Sequence, residues 1–147
     1  MKKKEAIELY KALSQCKLTG LASSQKMIVL NNLRQLRPVS EAYDTDVREA
    51  LEKIKPEGFD DTIKKVREHN DSINSGKGPT MPEDEANSAV EIINTFNAEV
   101  NQFVDDLLNE ESGIEICKLD DANLEKLIDV NDISTDQLCV LYESLKE

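Results

Sequence analysis

One long amphipathic segment constrains the fold of this chain more than any other feature. From Ser23 or Ser24 to Ile54, apolar and small residues recur in alternating steps of four and three positions. The residues of this seam are Val29, Leu33, Leu36, Ser40, Tyr43, Val47, Ala50 and Ile54. Such spacing puts them on one face of an α-helix. We therefore predict a long helix over about 24–54 whose seam faces the protein core.

Pro38 lies inside this predicted helix. A proline in a helix interior removes one hydrogen bond and crowds the carbonyl four residues back, here that of Arg34. The seam nevertheless keeps its phase from Leu36 through Ser40 to Tyr43, which a loop would have no reason to preserve. We predict one helix kinked at Pro38, with Leu36 and Tyr43 buried on the same face.

Two further helices flank a loop. A first helix over 3–16 ends before Gly20, and a third follows the stop at 55–58, with a seam of Phe59, Ile63, Val66, Asn70 and Ile73. Residues 74–82 contain two glycines and two prolines, which predicts a flexible loop.

A second long helix is predicted over 82–110. Thr80 and Glu83 match a capping box at its start. Its seam repeats the spacing of the first long helix: Ala86, Val90, Ile93, Asn97, Val100, Val104 and Leu107.

The carboxy-terminal part has a different texture. Residues 114–119 alternate apolar and polar side chains, which predicts a short extended strand that pairs with 18–22, pairs with another subunit or lies over the helices. A helical turn at 121–128 follows, and Ser134 with Gln137 predicts a capped helix over 135–146. The whole indicates one mainly α domain of residues 1–147, an antiparallel helical bundle with a small extended segment.

Charge is unevenly distributed along this acidic chain, whose net charge is −12. Residues 1–37 hold eight Lys/Arg against two acids, and residues 80–147 hold three against eighteen. One interpretation is weak pairing of the basic end with the acidic half; the other is an acidic docking face for a basic partner. Such a net charge disfavours nucleic-acid binding. The absence of a long apolar run and of a signal-peptide pattern predicts a cytoplasmic protein that does not enter membranes.

Candidates for chemistry are weak. The segment 74–80 has the residues of a phosphate loop in the wrong order, and 129–134 starts like a calcium loop but lacks the required glycine and final glutamate. His69 stands in a polar context that predicts a surface position. Cys16 lies at the carboxy-terminal end of the first predicted helix, a position that does not activate a thiol. We expect no catalytic, cofactor-binding or metal-binding residues.

Several short motifs carry a resemblance that covers about half the chain. They are Glu8–Leu13, Lys17–Leu21, Ile28–Arg34, Ile114–Ile116 and the close from Ser134 to Leu145. With these the chain resembles a family of small helical proteins encoded by bacteriophages and prophages. Pro38 and the loop at 74–82 depart from that pattern. The resemblance implies a phage or mobile-element accessory protein with no established enzymatic activity, and it transfers no functional residues.

Two functional hypotheses follow. The first is a non-enzymatic protein that acts through protein–protein interaction or assembly, by self-association or on a partner. The second is an acidic DNA mimic that inhibits a DNA-binding host protein, which requires carboxylates spaced like phosphates on one face.

Overall fold

The computed structural model describes all 147 residues and shows six helices without a β-sheet. The helices are α1 (Lys3–Leu13), α2 (Ser23–Ile54), α3 (Phe59–Asn74), α4 (Glu83–Asn109), α5 (Asp121–Asp129) and α6 (Thr135–Leu145). The contacts divide the chain into two compact units. We call Met1–Asp46 with Asp106–Glu147 the terminal unit, and Val47–Asp105 the middle unit. The mainly helical class is confirmed, and a single domain over 1–147 stays a prediction.

The terminal unit has a dense aliphatic core. Helix α1 packs against α6, which also contacts α5. Thirteen buried residues form one cluster: Ala6, Leu9, Ala12, Leu13, Leu21, Val29, Leu36, Ile114, Leu119, Leu124, Leu127, Leu141 and Leu145. Burying large aliphatic side chains contributes roughly 1.5–3 kcal/mol each. This cluster therefore provides most of the hydrophobic stabilisation of the unit.

The predicted strand is an extended segment without a sheet. Its flanks form isolated backbone bridges, Lys2 with Glu111 and Leu119 with Lys146. Between them the buried Asn32 side chain donates to the Cys117 carbonyl at 2.8 Å and accepts from the Cys117 amide at 3.0 Å. One asparagine thus supplies the pairing that a neighbouring strand would give, because buried backbone groups need partners.

Helix α2 continues through Pro38 as predicted. Leu36 is fully buried, and Tyr43 is half-buried. The helix begins at Ser23, and the residue before it, Ala22, donates its amide to Asn123 Oδ1 at 2.9 Å. A kink at Pro38 and an antiparallel bundle arrangement stay predictions.

Side-chain caps begin both carboxy-terminal helices. The predicted capping box of Ser134 and Gln137 is present at α6, with both hydrogen bonds at 3.3 Å. At α5 the Asp120 carboxylate accepts from the Asn123 amide at 2.8 Å and from the Asn123 side chain. These bonds lower the pKa of Asp120 because they favour its charged form. The chain thus begins these helices with local bonds that the sequence encodes directly.

The middle unit has little core. Only Ala50, Phe59 and His69 are buried between residues 47 and 105. The rings of Phe59 and Phe96 lie with centroids 4.3 Å apart, tilted by 44°. Aromatic pairs add about 0.5–1.5 kcal/mol beyond the area they bury. A ring pair between α3 and α4 therefore contributes much of the packing in this unit.

The predicted seams of α3 and α4 are wrong at four positions, where the predicted residue is exposed and the residue before it is half-buried or buried. On α4, Val90 and Asn97 are exposed, whereas the other predicted residues are half-buried or buried: Ala86, Ile93, Val100, Val104 and Leu107. Four residues outside the predicted seam are also half-buried: Ala89, Phe96, Phe103 and Leu108. On α3, Asn70 and Ile73 are exposed, and His69 and Ser72 turn inward. Phe96 has more apolar surface than Asn97, so the orientation of α4 that buries the phenyl ring is favoured.

Candidate protein-binding surface

The middle unit carries an open groove of about 450 Å³, which we call the acidic groove. Its apolar lining residues are Ile54, Pro56, Ile92 and Phe96, its polar ones are Thr62, Ser88 and Thr95, and its acidic ones are Glu57, Glu91 and Glu99. The volume is within the roughly 300–1,000 Å³ typical of ligand-binding clefts. Its lining thus combines apolar and acidic side chains in one concave surface.

One face of α4 forms most of this groove. Six of its residues line it, spaced by three and one in turn: Ser88, Glu91, Ile92, Thr95, Phe96 and Glu99. Residues at these intervals share one face of a helix. The opposite wall comes from the end of α2 and the turn that follows it, where Gly58 takes a left-handed conformation with φ 71° and leads into α3. The helix periodicity thus fixes which α4 side chains line the groove.

Phe96 connects the groove to the packing of the unit. The ring of Phe96 packs against the ring of the buried Phe59, and this contact positions Phe96 in the groove. Ile92, one turn earlier, keeps 42% of its surface exposed. The groove consequently presents a rigid ring beside an aliphatic side chain that still contacts water.

The charged side chains that line the groove are all acidic. Helix α4 contains seven acids and no lysine or arginine. Two lysines adjoin the groove residue Ile54 in sequence: Lys53, which is exposed, and Lys55, whose Nζ contacts Asp60 Oδ1 at 2.9 Å. The hydrogen bond to Asp60 raises the pKa of Lys55, so this lysine stays charged and paired. The three groove glutamates are exposed and thus free to meet external cations.

Phe96 also lines a second groove of about 460 Å³ between α3 and α4. Its apolar side chains include Ile63, Val66 and Ile93, and its charged ones are Arg67 and Asp71. Opposite charges in the same lining leave it without a net preference for an ionic partner. The acidic groove is therefore the more distinctive of the two surfaces.

The prediction that His69 lies at the surface is wrong. His69 is buried, and its Nδ1 accepts from the Thr80 amide at 3.1 Å. Ser72 Oγ donates to the Gly78 carbonyl at 2.6 Å. Both side chains turn inward because the returning loop needs partners for its backbone groups. The capping box predicted at Thr80 is also wrong, since α4 begins at Glu83.

The other sequence candidates have structural roles. Cys16 is half-buried and donates to the Ala12 carbonyl at 3.3 Å, and burial raises the pKa of its thiol. Asn131, in the segment that starts like a calcium loop, accepts from the Lys17 amide at 2.7 Å and donates to the Lys17 carbonyl at 2.9 Å. No group of three or more potential metal ligands occurs in the structure. Asn131 therefore joins two distant backbone segments, whereas Cys16 bonds only to the turn that precedes it.

The basic amino terminus pairs with acids in the same unit. The Met1 amino group lies 3.3 Å from Glu111 Oε2, and Lys3 pairs with Glu110. Exposed pairs of this kind contribute little, about 0–1 kcal/mol each. They show part of the weak charge pairing that the sequence predicts.

Neither a protein-family model, nor a curated protein, nor a solved structure matches this chain. No helix is both long enough and apolar enough to cross a membrane. The resemblance to phage and prophage proteins therefore stays a prediction.

Proposed function

We propose that this protein is a non-enzymatic interaction protein and that the acidic groove is its docking surface. The observation that carries the proposal is the combination of Ile92 and Phe96 with three exposed glutamates in one groove. Interfaces typically place an apolar centre inside a polar rim. With this function we propose a cytoplasmic location and a place among the accessory proteins of phages and mobile elements, which the resemblance supports.

The difference in packing between the two units supports separate roles for them. The terminal unit buries thirteen clustered residues, whereas the middle unit buries only Ala50, Phe59 and His69. Both units leave large apolar side chains more than 40% exposed: Met27, Leu30 and Tyr142 in the terminal unit, and Ile73, Val90 and Ile92 in the middle unit. Exposed apolar side chains near an interface contribute binding energy when a partner covers them. We propose that the terminal unit acts as the stable scaffold and the middle unit as the binding part.

DNA mimicry is the weaker alternative. The seven acids of α4 extend over 27 residues, about 40 Å at 1.5 Å per residue. That is about one charge per 6 Å, whereas duplex DNA carries about one per 1.7 Å. This low charge density and the apolar groove favour a partner that covers apolar side chains over a DNA-binding protein that would be held by charge alone.

The proposed function is tested by partner retrieval from the source cell with the full chain as bait. Ile92→Ser removes an apolar groove side chain without changing the charge. Val90→Ser is the matched control, because Val90 lies on the same helix with equal exposure, 43% against 42%, and outside the groove. We expect the wild type and Val90→Ser to retain the same partner and Ile92→Ser to lose it. Retention of no partner above an unrelated bait, or equal retention by Ile92→Ser, would contradict the proposal.

A further inference from the structure

We infer that the acidic groove binds a basic amphipathic helix of a partner protein. The inference rests on the proposed function and adds the chemistry of the partner: apolar side chains that enter beside Phe96, and lysines or arginines that meet Glu57, Glu91 and Glu99.

The apolar part of the groove fits one face of a helix. Ile54, Pro56, Ile92 and Phe96 provide hydrophobic contact along a concave surface. Amphipathic helices dock into such grooves with anchors at positions i, i+3 or i+4, and i+7. An exposed Ile92 gains burial only when such a face covers it.

The charges select a basic partner. None of the groove residues is a lysine or arginine; of the two lysines next to Ile54, Lys55 is paired with Asp60 and Lys53 is exposed. An acidic helix would place like charges beside the three exposed carboxylates, and a neutral helix would leave these carboxylates without partners. A basic helix neutralises them and is attracted from solution by the net charge of the chain.

The spacing of the glutamates matches a helical ligand. Glu91 and Glu99 are eight residues apart on α4, which is about 12 Å along the axis. Two turns of a helix that lies alongside rise about 11 Å. A partner with basic residues seven apart therefore places one near each glutamate, with its apolar anchors between them.

A second copy of this chain is the less suitable occupant. Its most basic segment is the amino terminus, where the Met1 amino group and Lys3 already pair with Glu111 and Glu110. Lys2 Nζ also donates to Asn109 at 3.3 Å. These pairs are weak, but the apolar residues of the helix that follows, Ala6, Leu9 and Leu13, are buried in the core of the terminal unit, so α1 could enter a groove of another copy only by leaving that core.

The test measures binding of a synthetic helix to the full chain by fluorescence anisotropy. The probe is a leucine–lysine peptide of about 15 residues, four helical turns, with lysines seven apart on its polar face. Its contrast is the same peptide with glutamate in place of lysine. The groove variant combines Glu57→Gln, Glu91→Gln and Glu99→Gln. Its matched control combines Glu49→Gln, Glu68→Gln and Glu83→Gln, three exposed acids of the middle unit outside the groove.

We expect the lysine peptide to bind the wild type and the control variant within about twofold of each other, and the groove variant at least tenfold more weakly. Added salt should reduce the difference in peptide affinity between the control variant and the groove variant, because salt screens attraction between exposed charges. Far-UV circular dichroism confirms that the variants stay helical, and Thr95 and Phe96 amide shifts report where the peptide binds.

Equal binding to both variants, or equal binding of the glutamate peptide, would overturn the inference. A wild-type dimer in light scattering that the groove variant dissociates would also overturn it, in favour of a second copy. A cellular partner whose capture needs Ile92 but is unchanged by the three groove substitutions would leave the proposed function standing and remove only the basic helix.

Discussion

The terminal and middle units differ in how they bury apolar side chains. The terminal unit places α1, α5, α6 and part of α2 around a cluster of thirteen residues. Four of its amide side chains also hydrogen-bond to backbone groups of distant segments: Gln25, Asn32, Asn123 and Asn131. The middle unit buries three side chains over 59 positions. Stability is not uniform within proteins, and regions with few buried contacts open first. The proposed docking surface thus lies in the unit with fewer buried side chains.

The largest expected effect comes from the core of the terminal unit. Leu127 on α5 is fully buried, and its replacement by alanine leaves a cavity that destabilises the protein by about 3 kcal/mol. Urea unfolding followed by circular dichroism measures the change. Leu138→Ala on α6 is the control, since Leu138 is exposed and its loss should change stability by less than about 0.5 kcal/mol. Equal effects of the two substitutions would show that the cluster is not the core.

Phe59→Ala tests whether the middle unit depends on a single ring pair. The substitution removes the contact with Phe96 and should cost about 2–3 kcal/mol, below a dense-core value because fewer neighbours surround the ring. Hydrogen exchange should show the loss in α3 while α1 and α6 keep their protection. Phe59→Leu, which keeps most of the apolar volume, should cost less. Loss of protection throughout the chain would contradict separate stabilities.

Asn32 tests the extended segment of the terminal unit. Asn32→Ala leaves the Cys117 amide and carbonyl without partners, which should destabilise the protein by about 2 kcal/mol. The neighbouring Asn31 is exposed, so Asn31→Ala is the matched control. Thermal unfolding distinguishes them. Similar melting temperatures for both variants would mean that Asn32 does not hold the segment.

His69 gives the smallest effect and lies in the middle unit. His69→Ala removes the acceptor for the Thr80 amide and should cost about 1 kcal/mol. His69→Asn keeps an acceptor at a similar distance from the backbone and should recover part of the loss. The exchange rate of the Thr80 amide measures both changes. An unchanged rate in His69→Ala would show that the loop does not depend on this bond.

The sequence predicted the helices better in one unit than in the other. In the terminal unit the seam of α2 continues through Pro38, and the capping box of α6 is present, because both depend on spacing within one helix. In the middle unit, spacing alone placed Asn97 inward in place of Phe96, and Asn70 in place of His69. Which residue faces inward depends there on its contacts with other segments: Phe96 packs on Phe59 of α3, and His69 accepts from the Thr80 amide of the loop after α3.

The extended segment and the groove were beyond sequence reasoning for a related reason. Alternating side chains at 114–119 predict a strand, but pairing by the Asn32 amide requires contact between residues 85 positions apart. The groove likewise combines the end of α2 with a face of α4. The charge pattern indicated an acidic surface, and only the structure brings three of its acids next to Ile92 and Phe96.

The central claim is that the two units have separate stabilities, with the middle unit the less stable. Native-state hydrogen exchange of the wild type at increasing urea tests it most directly. We predict that amides of α3 and of residues 88–99 of α4 exchange through an opening of lower free energy than amides of α1, α5 and α6. One common opening free energy for all of these helices would contradict the account.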